Sequence, residues 1–276
     1  MSRLAFRFWG VRGSLPSAGA KTVRYGGNTP CLEVRAGDEL FIVDMGSGLR
    51  PLGEALGFGP HAATVLMTHY HYDHVQGLPF FGPMYNPKNR FAIYGPPYEG
   101  KPVREVLAGQ MVRPYFPVGL EVIQAQLDFR DVLPEQTIQF GEATVRTTAL
   151  NHPGGSLGYR FDIGGKSLVY CTDVEHDGGA GDSRVEAFAR GADWFILDAM
   201  YTADEYAGKV GGSKRGFGHA TPDFALEVAK SAGVKNLVLC HHDPGRSDDA
   251  LEAIVNKVRE AFPATTAARE LELIEV

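Results

Sequence analysis

The chain has 276 residues, of which 44% are apolar and 22% charged, close to a globular average and long enough to bury a sizeable core. Lys and Arg total 27 against 33 Asp and Glu, a net charge of −6, which argues against bulk nucleic-acid binding because neutralising phosphates needs a basic footprint. No apolar run approaches the roughly eighteen residues of a membrane helix, and the opening MSRLAFRFWGVRG lacks an apolar stretch of signal-peptide length. The three cysteines, Cys31, Cys171 and Cys240, show no CxxC spacing. Together these features lead to the expectation of a reducing, cytoplasmic compartment and no membrane partner.

Short β-branched or aromatic runs bounded by Gly, Pro or Asp predict strands at Leu4–Trp9, Cys31–Arg35, Leu40–Asp44, Thr64–Thr68 and Phe91–Tyr94. Within a proline- and aromatic-rich stretch, Pro79–Pro117, the helical pattern Val103–Gln110 is weak. Further strands are predicted at Thr144–Ala149, Gly158–Asp162, Ser167–Cys171, Trp194–Asp198, Asn236–Cys240 and Glu270–Val276, with a weak helix at Ser183–Arg190. Thr221–Ala232 reads as a helix, with a Thr cap, Pro at the first helical position and Gly233 as a stop. Asp248–Ala261 places Leu251, Ile254, Val255 and Val258 on one helical stripe. Many strands first, then strands alternating with helices, suits two packed sheets with helices outside.

The chemistry concentrates at strand ends. Three of the nine histidines, His69, His71 and His74, fall in one segment, MTHYHYDHVQG, together with Asp73. The segment follows the apolar strand ATVLMT, and a turn there can converge several side chains on one point. Imidazole and carboxylate together suit zinc, iron or manganese. His152 in TALNHPGG, Asp173 in CTDVEHD, and His241 and His242 in CHHDPG each follow a strand in the same way. Open α/β folds place their sites at such carboxyl ends.

THYHYDH resembles the HxHxDH signature of the metallo-β-lactamase superfamily. FWGVRGSLPS, RYGGNTPCLEV and FIVDMGSG look like its opening segments, with Asp44 in a D-x-G turn. GHATPDFALEVAKSAGVKNLVLCHHDP resembles its phosphodiesterase branch, which includes ribonuclease Z and the phosphoribosyl cyclic phosphodiesterases. The resemblance covers nearly the whole chain and implies an α/β fold, a four-layer αββα sandwich of the metallo-β-lactamase type. It is read as one domain, 1–276, with an irregular insertion at about 79–134.

The resemblance further implies two divalent metal ions, zinc first with manganese or iron feasible. His69, His71 and His152 would hold one, and Asp73, His74 and His241 the other. Asp173 would bridge them beside a water or hydroxide that attacks phosphorus. The expected catalytic residues are Asp73, acting through its metal and not as a free base, and His219 in GFGHAT, as general acid or phosphate contact. Ala220 stands where the branch carries a glutamate, so His219 lacks its usual acidic partner there. Between His241 and His242, the family pattern favours His241.

Weaker candidates are Arg12 and Asn28 near the site mouth, His176 and Asp177 after Asp173, and Arg113 and Tyr115 in the insertion. Asp198 is expected as a carboxylate orienting a ligand histidine. His61, Tyr201 and Tyr206 are read as surface or packing residues. The expected partner is a small phosphodiester. A ribonuclease Z-like nuclease is the alternative, disfavoured by the acidic chain and by the lack of a long basic arm; a hydrolase of β-lactams, lactones or thioesters is a third reading. A helix or the aromatic insertion could supply a homodimer face.

Overall fold

A computed structural model describes residues 3–176 and 183–276. It contains two seven-stranded mixed sheets. The first is built from β1 (Leu4–Gly10), β2 (Cys31–Ala36), β3 (Glu39–Val43), β4 (Ala62–Leu66), β5 (Arg90–Gly95), β6 (Gln126–Asp131) and β14 (Leu273–Glu275), in the order β14-β1-β2-β3-β4-β5-β6. The second holds β7 (Thr137–Phe140), β8 (Ala143–Leu150), β9 (Ser156–Ile163), β10 (Lys166–Cys171), β11 (Trp194–Asp198), β12 (Asn236–Cys240) and β13 (Thr265–Ala267), in the order β13-β12-β11-β10-β9-β8-β7. β3 through β6 run parallel, as do β10 through β13.

Period-two alternation explains why the central strands are apolar on both faces. In the first sheet Phe6, Phe8, Phe41 and Val43 point between the sheets, against Phe161 and Tyr170. Ile42, Val65 and Ile93, of opposite parity, face helices α1 (Leu49–Leu56) and α3 (Val103–Ala108). In the second sheet Ile196 and Val238 point inward, while Phe195, Leu197, Leu237 and Leu239 face α4 (Ser183–Ala189), α6 (Pro222–Ser231) and α7 (Asp248–Ala261). The layers are therefore helix, sheet, sheet, helix, as expected. Two one-turn helices, α2 (Tyr72–Val75) and α5 (Ala203–Tyr206), complete the set.

The differences from the sequence reading have local causes. β6 and β7 are edge strands whose side chains are half-buried or exposed, so they lack a buried apolar run. β13 has only three residues. The last strand begins at Leu273, later than Glu270, because Leu271 adopts φ 67° and breaks the extended run. α1 was hidden by Pro51 and Gly53, yet a proline in a first turn removes an N–H that has no helical partner anyway. β5 and β6 both lie within the stretch 79–134, and β5 pairs with β4 on one side and with β6 on the other.

Candidate metal centre

Six strands end at one place. β3 leads to Asp44, β4 to Thr68 and His69, β8 to His152, β10 to Asp173 and β12 to His241, while Asp198 is the last residue of β11. Asp44, Asp173 and His241 have φ of 64°, 61° and 57°. Non-glycine residues rarely adopt this left-handed region, and such strain gathers at functional sites. Here it turns each side chain sharply off its strand end.

The structure brings His69, His71 and His152 together, and Asp73, His74 and His241 together, with Asp173 against both groups. In the first group His71 Nδ1 lies 3.0 Å from His152 Nε2. In the second, Asp73 Oδ2 lies 3.4 Å from His74 Nε2 and 3.3 Å from His241 Nε2, and the two imidazole nitrogens are 3.4 Å apart. The Asp173 carboxylate divides between them. Its Oδ1 is 3.8 Å from His69 Nε2 and 3.7 Å from His152 Nε2; its Oδ2 is 3.2 Å from His74 Nε2 and 3.3 Å from His241 Nε2. Donor atoms held about 2.0–2.1 Å from a tetrahedral zinc lie about 3.3–3.4 Å from one another, so these spacings fit ligand shells. His69 Nε2 and Asp173 Oδ2 are buried and make no hydrogen bond, a state that buried polar atoms avoid unless something else binds them.

Outer contacts fix which nitrogen faces inward. His74 Nδ1 donates to Asp44 Oδ2 at 2.9 Å, and Asp44 Oδ1 accepts from Thr68 N at 2.8 Å. His69 Nδ1 lies 3.0 Å from Thr68 Oγ1. His152 Nδ1 donates to the Gly218 carbonyl at 2.8 Å. In each ring this leaves Nε2 toward the cluster, the arrangement in which partners behind a ligand set its tautomer. Ser14 N donates to Asp73 Oδ2 at 2.7 Å. The loop after β1 is clamped there because Gly13 N donates to His242 O and His242 N to Val11 O. A Cβ at Gly13 would sit 2.3 Å from His241 Cε1, and one at Gly218, where φ is +85°, would sit 2.1 Å from His152 Nδ1. Both loops can approach the histidines only as glycine.

The electrostatics follow from burial and partners. Burial disfavours charge on His74, but Asp73, Asp173 and Asp44 outweigh it and hold its pKa well above the usual imidazole value. Burial, reinforced by His74, pushes His69 well down. Burial alone would raise Asp173, yet His241, His74 and His69 hold it well below the carboxylate range. A cation entering this cluster therefore displaces protons from histidine.

His219, just before the α6 cap Thr221, is buried and stacks on His241 with ring centroids 4.9 Å apart. Its Nδ1 donates to Asp198 Oδ2 at 2.8 Å. Asp198 thus orients His219 and supplies the acidic partner missing at Ala220. Its other oxygen accepts from Met200 N and Ala220 N. Burial lowers the His219 pKa, but Asp198, with Asp173 and Asp73 beyond it, raises it to about 9.

The adjacent histidines separate. His242 is buried on the other side of the turn, with Nε2 donating to the Ala268 carbonyl at 3.1 Å and the ring edge-on to Tyr25. Burial pushes its pKa down to about 3. It contacts neither the cluster nor a substrate face, and packing explains it. Alanine at His241 should cost a metal per chain and most activity, whereas alanine at His242 should keep both metals and lower thermal stability. Metal counting on the two variants checks this, and metal loss from the His242 variant alone would reverse the assignment.

The weaker candidates are mostly structural. Arg12 is fully buried and donates to the Gly26 and Arg246 carbonyls. Asn28 binds Glu270 and Ser47. The His176 ring stacks on Phe224, and Tyr206 donates to Glu175. Glu175 in turn accepts from Gly216 N and Gly218 N, which holds the loop before His219. Tyr201 is edge-on to His219 at 5.8 Å. Arg113 and Tyr115 are exposed, and neither lines the cavity beside His69 and His71. His61 is half-buried at the opposite end of β4 from His69. Asp177 lies outside the described residues. Sequence reasoning missed Ser14, Gly13, Thr68, Glu175 and Gly218; only the glycines, clustered in VRGS and GFGH, carried a local signal.

The family model described as "Beta-lactamase superfamily domain" matches residues 43–242. The chain belongs to that superfamily. Among curated relatives, a ribonuclease Z of Bradyrhizobium sp. (strain ORS 278) is 27% identical, with 98% of this chain and 98% of that protein covered. Among solved structures, the metallo-beta-lactamase fold protein YhfI from Bacillus subtilis superposes with a TM-score of 0.72 at 19% identity, over the full length of both chains. A diphosphatase of the PhnP family gives a TM-score of 0.71 at 19% identity, covering 99% of this chain and 98% of the other. The superfamily's fold and the His/Asp cluster together imply divalent metal ions. No helix among the described residues is long and apolar enough to cross a membrane.

Proposed function

We propose that this chain is a two-metal phosphodiesterase, with a small cyclic or linear phosphodiester as substrate. The observation that carries the reading is the Asp173 carboxylate, whose two oxygens face two separate His groups. His69, His71 and His152 would hold one ion and Asp73, His74 and His241 the other. Zinc suits this neutral-imidazole and carboxylate set first, with manganese or iron feasible. When bound, two such ions would lower the pKa of a coordinated water and offset charge growing on phosphoryl oxygens.

The chain's own residues do the rest. Ser14 N and Asp44 hold Asp73 and His74 in place. Asp198 keeps a proton on His219 Nδ1, leaving Nε2 to donate to the leaving oxygen as the P–O bond breaks. The curated relative named ribonuclease Z makes RNA the second reading. The net charge of −6 favours a small substrate over a long polyanion. We read the chain as one catalytic domain, and as cytoplasmic because its three cysteines, Cys31, Cys171 and Cys240, are buried and lie far apart in the sequence with no CxxC spacing.

Protein purified without chelator should carry about two metals per chain and cleave bis(p-nitrophenyl) phosphate, with no turnover of a β-lactam or a thioester. Chelation should abolish cleavage and zinc or manganese should restore it. Thioester or lactam turnover without diester cleavage would overturn the substrate class and leave the ligand set standing.

A further inference from the structure

Beside the His69 and His71 edge of the cluster lies a cavity of about 470 Å³, within the about 300–1,000 Å³ range of small-molecule sites. Its walls are Tyr70, Pro97, Tyr98, Val106, Leu133 and Pro134. None of its described lining residues is Lys, Arg, Asp or Glu. The Tyr70 hydroxyl is already committed, donating to the Pro96 carbonyl at 2.6 Å. Ser156 Oγ, also in the lining residues, is buried and has no hydrogen-bond partner. A site built to grip a second phosphate or a nucleic-acid backbone needs cationic donors, and this wall offers proline, aromatic and aliphatic surface instead.

We propose that this cavity receives an uncharged, ring-bearing organic group of the diester, while the phosphate sits on the metal cluster. The proposal rests on the phosphodiesterase reading and narrows it. Substrates would be small diesters with an aryl- or nucleobase-like substituent. The tyrosines and prolines supply flat faces, and rings stack on such faces with little loss of conformational freedom. A group with its own charge would be desolvated there without a partner.

The test is calorimetric binding of diphenyl phosphate and dimethyl phosphate to the metal-loaded protein, with bis(p-nitrophenyl) phosphate turnover measured in parallel. Diphenyl phosphate should bind at least about tenfold more tightly. Leu133→Glu places a carboxylate on the wall at a position 50% exposed, so folding should tolerate it; this variant should lose most of the preference and keep its metal content. Tyr98→Ala, also at a partly exposed position, should weaken diphenyl phosphate binding and leave dimethyl phosphate binding unchanged. Equal affinity for the two diesters in the unaltered protein, or a preference that survives both substitutions, would overturn the proposal. A diphenyl preference without any diester turnover would keep the cavity's role and sink the phosphodiesterase reading; turnover without the preference would do the reverse.

Discussion

Replacing Asp173 by alanine is expected to lower kcat/KM for a phosphodiester by at least about 10³-fold, because paired metals supply several kcal/mol of transition-state stabilisation and each 1.36 kcal/mol is tenfold. The substitution removes both oxygens at once, Oδ1 from beside His69 and His152 and Oδ2 from beside His74 and His241. It also strips the carboxylate that helps hold His74 protonated in the metal-free protein. Metal content should fall below two per chain. Asp173→Asn is the finer probe: its amide offers one oxygen where two were needed, so one His group should keep its ion and the other should bind more weakly. An alanine variant that kept both metals and normal turnover would remove Asp173 from between the two groups.

Much of this site was legible because the ligand types stand directly after apolar strands. ATVLMT, LVYCT and NLVLC are runs buried on both faces, so each can only be a central strand, and its exit residue must lie at one end of a sheet. The choice of His241 over His242 is one of backbone geometry: φ of 57° at His241 swings its ring toward Asp73, and His242 then turns inward to Ala268. No residue-type pattern carries that information. The partner of His219 was hidden for another reason. Asp198 lies 21 residues before it, on the neighbouring β11, and only the pairing of β11 with β12 brings that strand end beside His241. The edge strands β6 and β7 were illegible because an edge needs no continuous apolar run, and in β6 the charged Asp128, Arg130 and Asp131 deter pairing with other chains. The cavity wall could not be read at all. Tyr98, Leu133 and Pro153 come from three separate loops that meet only in the folded chain.

His219→Ala is expected to lower kcat for a substrate with a poor leaving group by about 10²–10⁴-fold, the usual contribution of a positioned acid, and to spare p-nitrophenyl esters, whose leaving oxygen needs little protonation. The pH profile carries the sharper test. Burial lowers the His219 pKa, and Asp198 ahead of Asp173 and Asp73 raises it, to about 9 in the metal-free protein. Bound cations oppose the field from Asp73 and Asp173, so with metals present the window in which His219 titrates lies below about 9. A proton donor is competent below its pKa, so kcat should decline as pH rises through that window. Asp198→Asn withdraws the negative charge but keeps a hydrogen-bonding side chain, and should move the decline toward lower pH with both metals retained. In stability the sign is the same: a histidine whose folded pKa is raised stabilises the fold fully below about 6.5, and that contribution is lost as pH rises through the folded value. The metal-free Asp198→Asn protein should therefore show a smaller loss of thermal stability between pH 6 and 9 than the unaltered chain. If the kinetic limb stayed in place in the Asp198 variant, the titrating acid would have to be sought elsewhere than at His219.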